Sequence, residues 1–303
     1  MRVIDKYKEY IHNYHMKFGF CDEICDIITK KIIVEFKNLR DEYIITSLLE
    51  ELNPFIVNRD ESLVSNYLIH QDVHYENKYD FYKNLNTIKD KISKILYGEL
   101  VYNEGWVELH AAGIEFMGKN ILLVGKTKSG KSSTGFYFID KHNGAFIGND
   151  TIFIHPEKNW MIGFPEGFGV SKYVGNLLGL DKKTVITPNY DNYWFTNQHM
   201  RNLGYMLKPL AVINLIFFPC FINKELPLRI IKIEQTKAEI LPIVSTVNIK
   251  KSKRQLDYLN SIPCYKIETN GIHNDYIQAL ELLVKQNSEK LNFCGHSDVL
   301  WEK

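Results

Sequence analysis

The 303-residue chain is poor in cysteine, with five, at Cys21, Cys25, Cys220, Cys264 and Cys294. An odd and sparse count supplies no disulfide framework, so reduced thiols are expected. Cys21 and Cys25 could share one helical face as metal ligands, but no second pair at ligand spacing accompanies them, and they read as structural cysteines. Charge of one sign is missing as well: 37 Lys and Arg against 36 Asp and Glu leave a net charge of +1. With no positive excess to release counterions, nucleic acid is excluded as an expected partner. Long apolar runs are also absent. The strongest, Leu210 to Ile222, is interrupted by Asn214 and Pro219 and falls short of the roughly 20 residues a spanning helix needs, so no membrane partner is expected. The opening Met1-Arg2-Val3-Ile4-Asp5-Lys6 mixes charges among its apolar positions and lacks the apolar stretch of a secretory signal, which gives a cytoplasmic expectation. Internal repeats and low-complexity tracts are missing too.

What is present is the composition of a folded protein, 45% hydrophobic and 24% charged, in a chain long enough for about two domains. Residues 1–95 read as a small α+β N-terminal extension, a candidate for substrate recognition. It carries an expected strand at Lys31 to Phe36, where Ile32, Ile33 and Val34 favour a pleated setting. Asp41 to Leu52 repeats its apolar side chains at helical spacing (Ile44, Ile45, Leu48, Leu49, Leu52) and predicts a helix packed on a sheet. A second helical pattern over Asp90 to Leu96 leads to Gly98, and a domain boundary is placed there. Residues 96–285 form the expected catalytic domain and 286–303 a polar tail containing Cys294-Gly295-His296.

Within the larger domain, Trp106 to His110, Gly113 to Phe116 and Ile121 to Val124 are short apolar runs separated by glycines, the pattern of strands meeting at tight turns. A helix of about ten residues is expected after Lys131, then strands at Ala145 to Gly148 and Thr151 to His155. Leu210 to Phe218 lacks alternation and predicts one strand buried on both faces. The fold class is therefore α/β with a mixed sheet.

The chemistry concentrates in Gly125-Lys126-Thr127-Lys128-Ser129-Gly130-Lys131-Ser132, which fits G-x-x-x-x-G-K-[ST] directly after the strand Ile121 to Val124. Polyphosphate must be approached by successive backbone N–H groups, which side chains at Gly125 or Gly130 would obstruct, and a following helix N-terminus adds positive potential. Gly125, Lys128, Ser129, Gly130, Lys131, Ser132 and Ser133 are the candidate nucleotide-binding residues. Lys131 would reach the outer phosphates, and Ser132 offers a hydroxyl to a hydrated Mg²⁺. The loop alone indicates nucleotide and not reaction, since kinases, ATPases, GTPases and non-hydrolysing scaffolds share it.

Reading outward, Glu108-Leu109-His110-Ala111-Ala112-Gly113 precedes the loop and Ile147-Gly148-Asn149-Asp150-Thr151 follows it. The order of these three motifs resembles the catalytic domain of the HPr kinase/phosphorylase family, where a histidine lies one strand-turn-strand before the P-loop and a pair of acidic residues ends the strand after its helix. The resemblance extends through Gly163-Phe164-Pro165 and Ile262 to Glu268. The first 95 residues look more like the small extension of stand-alone HPr kinase-like proteins, some of which phosphorylate ribosomally made peptides. It implies an HPr kinase-like fold and a Mg²⁺-dependent kinase that moves the ATP γ-phosphate to a Ser or Thr hydroxyl of a peptide or protein. It also implies a homo-oligomer, His110 beside the transferred phosphate, and Asp150 as a metal ligand alongside Ser132. The catalytic set is then His110, Lys131 and Asp150.

Asn149 departs from that pattern, because an amide cannot take a proton from a hydroxyl. Three readings stay open: Asp150 or His110 does the proton work, transfer needs little base because its transition state is loose, or the enzyme is weakened. The alternatives to a peptide kinase are a nucleotide-binding regulatory module and a small-molecule kinase. Lys172, Lys182, Lys183 and Arg201 are candidates for neutralising developing charge. His70 and His74 stand at i and i+4, but Gln71 occupies the position where a zinc protease has Glu, and they read as polar surface. The aromatic run Asn189 to Phe195 reads as core or a peptide-binding surface in preference to a base-stacking platform.

Overall fold

The computed structural model describes residues 15–18, 32–37, 67–72, 94, 97–98, 101, 105–163, 167–177, 192–195, 197–208, 210–221, 228–244, 256–270 and 274–289. The chain divides into two compact units, Met1–Gly105 and Trp106–Lys303. In the first, β1 (His15–Phe18), β2 (Ile32–Lys37) and β3 (Tyr67–Asp72) form a sheet in that order, β1 antiparallel and β3 parallel to β2. The strand expected at Lys31 to Phe36 is β2, and His70 lies in β3. The helix expected at Asp41 to Leu52 lies outside the described residues, as does all but Lys94 of Asp90 to Leu96. Cys21, Cys25, His74 and Cys294 lie outside them too.

The second unit is a mixed α/β fold. Its strands are β4 (Val107–Leu109), β5 (Ala111–Phe116), β6 (Lys119–Val124), β7 (Ala145–Gly148), β8 (Ile152–Ile154), β9 (Trp160–Gly163), β10 (Phe168–Ser171), β11 (Asn192–Phe195), β12 (Met206–Leu207), β13 (Leu210–Val212), β14 (Leu215–Phe221), β15 (Arg229–Lys232) and β16 (Cys264–Thr269). Helix α1 (Lys131–His142) follows β6, α2 (Lys172–Leu177) follows β10, α3 (Asn197–Asn202) follows β11, α4 (Thr236–Ile240) follows β15, and α5 (Asn274–Glu289) ends the described chain. Seven strands form one sheet in the order β12-β7-β5-β6-β14-β16-β15, and a smaller sheet runs β13-β9-β8-β4. In the large sheet β14 is parallel to β6 and β16, whereas β5 is antiparallel to both β6 and β7. The β5–β6 hairpin turns on Met117 and Gly118, at φ 51° and 71°, the backbone signs that a two-residue turn matched to strand twist requires.

Both faces of the large sheet are covered, which is why β6 and β14 read as unbroken apolar runs. Ile121, Leu123, Leu215 and Phe217 join Phe136 and Ile139 of α1 and Tyr276, Leu280 and Leu283 of α5 in one core. Their neighbours Leu122, Val124, Ile216 and Phe218 face the other way and pack with Val107, Ile152, Ile154 and Met161 of the smaller sheet. Phe136, Phe153 and Phe217 are fully buried side chains, and each such burial contributes about 1.5–3 kcal/mol, more than an exposed ion pair supplies. Tyr193 and Phe195 of the aromatic run are buried in the helix-side core. Cys264 is also buried, which pushes its thiol up to about 12 and leaves it inert.

The single strand expected over Leu210 to Phe218 is instead two strands in different sheets, β13 in the smaller and β14 in the larger. The break falls at Asn214. Its side-chain oxygen accepts the Asn120 N–H at 2.9 Å and its own N–H donates to the Asn120 carbonyl at 2.9 Å. Asn120 also donates its amide to the Val212 carbonyl at 2.8 Å. These bonds satisfy the backbone where it leaves one sheet for the other.

Candidate functional site

Three chain segments meet at one end of the large sheet because β5 runs against both of its neighbours. Ala111 pairs with Val124, so His110, one residue earlier, falls level with Gly125 at the start of the glycine-rich loop. On the other side of β5, Gly113 pairs with Gly148, so β7 delivers Asn149 and Asp150 to the same end. β14 runs parallel to β6 with Phe217 opposite Leu123, and its last residues Pro219 to Phe221 arrive there as well.

The loop passes from β6 into α1 through Gly130, the N-cap, at φ 100° and without a side-chain cap bond. That φ lies in the left-handed region and suits only glycine. The first turn of α1 contains no acidic residue, whereas Lys141 and His142 sit in the last turn. The helix dipole is thus compensated at its C-terminus and left positive at the loop. Lys126, Thr127 and Lys128 are exposed, Lys128 at φ 66°, while Ser129, Gly130, Ser132 and Ser133 are half-buried.

Lys131 is 4% exposed. Its ammonium donates to the carbonyls of Gly125 at 2.9 Å and Lys126 at 3.0 Å. Burial lowers its pKa from 10.5 to about 8, against the opposing pull of Asp150. Ser132 donates its hydroxyl to the Asn149 side-chain oxygen at 2.8 Å, and the Asn149 amide donates to Asp150 Oδ2 at 2.9 Å. Asn149 is fully buried, so it links the hydroxyl to the carboxylate and takes no proton itself. The half-buried Asp150 sits at φ 63°, with the Thr151 N–H closing a turn onto the Asn149 carbonyl at 2.8 Å. Such positive φ at a non-glycine residue costs energy that persists where the surrounding structure enforces it.

The enforcement comes from a close crossing of the two sheets. A Cβ on Gly163 of β9 would stand 1.7 Å from the Ile147 carbonyl oxygen, and one on Gly148 would stand 2.6 Å from the Gly163 Cα. Only a glycine pair lets β7 and β9 approach so closely, directly before Asn149 and Asp150. Gly163 carried a sequence resemblance but no local sign of this contact, because its partner lies far along the chain.

The fold therefore brings together His110, Gly125, Ser129, Gly130, Lys131, Ser132 and Asp150. Of the other cations, Lys172 is exposed at the start of α2, Arg201 is half-buried in α3, and Lys182 and Lys183 lie outside the described residues. Among the described residues no group of three or more His, Cys, Asp and Glu gathers as a metal cluster. The Ser132 hydroxyl and Asp150 carboxylate, joined through one amide, nevertheless offer the hard oxygen donors that suit a Mg²⁺ retaining most of its waters. No described helix is long and apolar enough to cross a membrane.

No family model and no curated protein matches the chain. Among solved structures it is similar to the Hpr(Ser) kinase/phosphatase from Coxiella burnetii, at 15% identity and a TM-score of 0.36, over 61% of this chain and 92% of that one. A likeness at that level carries no argument about function, which rests on the residues themselves.

Proposed function

We propose that the unit from Trp106 onward binds ATP at the Gly125–Ser132 loop and transfers its γ-phosphate to a Ser or Thr hydroxyl of a peptide or protein. One observation carries the reading. A buried lysine bonded to loop carbonyls, a helix N-terminus without an acid, and a Ser132–Asn149–Asp150 chain all converge on one end of one sheet. Backbone N–H groups from Gly125 to Lys131 cradle the phosphates, and Lys131 exchanges its carbonyl partners for phosphate oxygens. Ser132 and Asp150, linked through Asn149, would hold a Mg²⁺, which would supply charge neutralisation to the phosphates. Asp150 and His110 are the groups placed to receive the acceptor's proton. The acceptor class and the roles of His110 and Asp150 also draw on the motif order shared with HPr kinase-like proteins.

A second reading, a nucleotide-binding regulatory module, is favoured by Asn149, whose amide bonds Ser132 and Asp150 where that family has an acid. The two are separated with γ-labelled ATP, Mg²⁺ and an extract of the source organism. The kinase reading expects label in a polypeptide, lost with Lys131→Ala. Label in a low-mass product indicates a small-molecule kinase, and label nowhere, with nucleotide still bound, leaves the module.

A further inference from the structure

The structure gives the loop a backing that no loop residue supplies. Phe221 is the last residue of β14, paired with Thr269 of β16, and it shares its sheet face with Phe217, so its ring points to the helix side and packs on that core. The ring tip lies against the Gly130 α-carbon. A Cβ built on Gly130 would stand 2.4 Å from Phe221 Cζ and 2.6 Å from both Cε atoms. The other contacts of this ring close a circuit. Phe221 meets Tyr276 edge-on at 5.9 Å and 82°. Tyr276, fully buried, shares a 2.7 Å hydrogen bond with the Thr134 hydroxyl. Thr134 in turn donates its N–H to the Gly130 carbonyl at 2.8 Å. Gly130 is thereby held from its carbonyl side by α1 and from its α-carbon by Phe221.

We infer that Phe221 is a positioning residue that locks Gly130 at its positive φ and so keeps the Gly125–Ser132 amides aimed outward to receive phosphate. The phosphate half of this inference rests on the nucleotide reading; the loop half does not. Without the ring, Gly130 loses its nearest neighbours on that side, and glycine is the residue with most alternative conformations to fall into. Leucine at 221 restores apolar volume but lacks the reach of Cζ, so it separates filling the core from backing the loop.

The test measures amide hydrogen exchange at Ser129 and Thr134, whose N–H groups bond to the Lys126 carbonyl at 3.1 Å and the Gly130 carbonyl at 2.8 Å, in the unliganded full chain, for wild type, Phe221→Leu, Phe221→Ala and Leu283→Ala. Leu283 belongs to the same core and serves as the control for stability loss alone. Exchange at these two amides should rise about tenfold in both Phe221 variants, because local opening sets the exchange rate, and should stay at the wild-type value in Leu283→Ala. ATP affinity should fall in the same order, about tenfold in Phe221→Leu. Wild-type exchange in Phe221→Leu overturns the inference, as does equal exchange in Phe221→Ala and Leu283→Ala. Failure of the wild-type chain to bind ATP overturns the nucleotide reading and the phosphate half, while the exchange data still decide the loop half.

Discussion

Lys208 and Lys131 stand at opposite ends of the large sheet, and the fold treats them differently. At the end away from the loop, Lys208 forms an ion pair with Glu115 and also donates to Asn120 Oδ1 at 3.1 Å. There a cation is answered by a carboxylate and an amide that the fold itself supplies. At the loop end, Lys131 is more deeply buried, and its bonds go to two backbone carbonyls. Ser129 Oγ is buried beside it without a hydrogen-bond partner. A polar group left unanswered in the interior costs stability that the Lys208–Glu115 pair does not incur. The difference teaches that, among the described residues, no side chain bonds directly to the Lys131 ammonium, and Asp150 acts on it through charge alone.

Phosphate transfer should show this contrast most strongly. Lys131→Ala should lower transfer by at least about a hundredfold, the order seen when a donor aimed at developing charge is removed, while Lys208→Ala leaves it within about twofold. Steady-state transfer rates for the two variants check this, and equal losses would erase the distinction between the ends.

Asp150→Ala comes next, with a loss of about a hundredfold if the carboxylate takes the proton and holds metal. Asn149→Asp sharpens the point. It places a second carboxylate against Asp150, and like charges raise one carboxyl pKa. The acid limb of the transfer–pH profile should therefore move to higher pH, and an unmoved limb would remove Asp150 from the proton step.

The loop end should also have its own stability signature. Burial holds the Lys131 pKa at about 8, below its ordinary 10.5. Below pH 8 both folded and unfolded chains carry this proton, and the folded chain bears the full cost of a buried ammonium. Between pH 8 and 10.5 the unfolded chain binds more protons, so wild-type stability rises there relative to Lys131→Met. Denaturant unfolding of both proteins across that range checks the sign, with Lys131→Met the more stable below pH 8. The smallest effect belongs to Glu115→Ala, about 0–1 kcal/mol, because both partners of that pair reach solvent.

Contiguous features were legible in the sequence. β6, the loop and α1 occupy adjacent letters, and the unbroken apolar run of β6 and the Gly125–Gly130 spacing of the loop each leave a local trace there. His110 and Asp150 were named from motif order, and antiparallel β5 is what turns that order into proximity. Contacts between distant residues were not legible. Gly148 and Gly163 touch across two sheets, and Phe221 fills the space behind Gly130, yet none of these pairings produces a period or a spacing. The division of Leu210 to Phe218 was hidden for a related reason. Both strands are largely apolar, and Asn214 acts only through Asn120, a residue from another part of the chain.

The central claim, that the loop end is left open for a polyphosphate, is tested most directly by calorimetric titration of ATP with Mg²⁺ into wild type, Lys131→Ala and Lys208→Ala. The account predicts saturable one-to-one binding by wild type and Lys208→Ala and its loss in Lys131→Ala. Equal binding by all three proteins, or none by wild type, would contradict it.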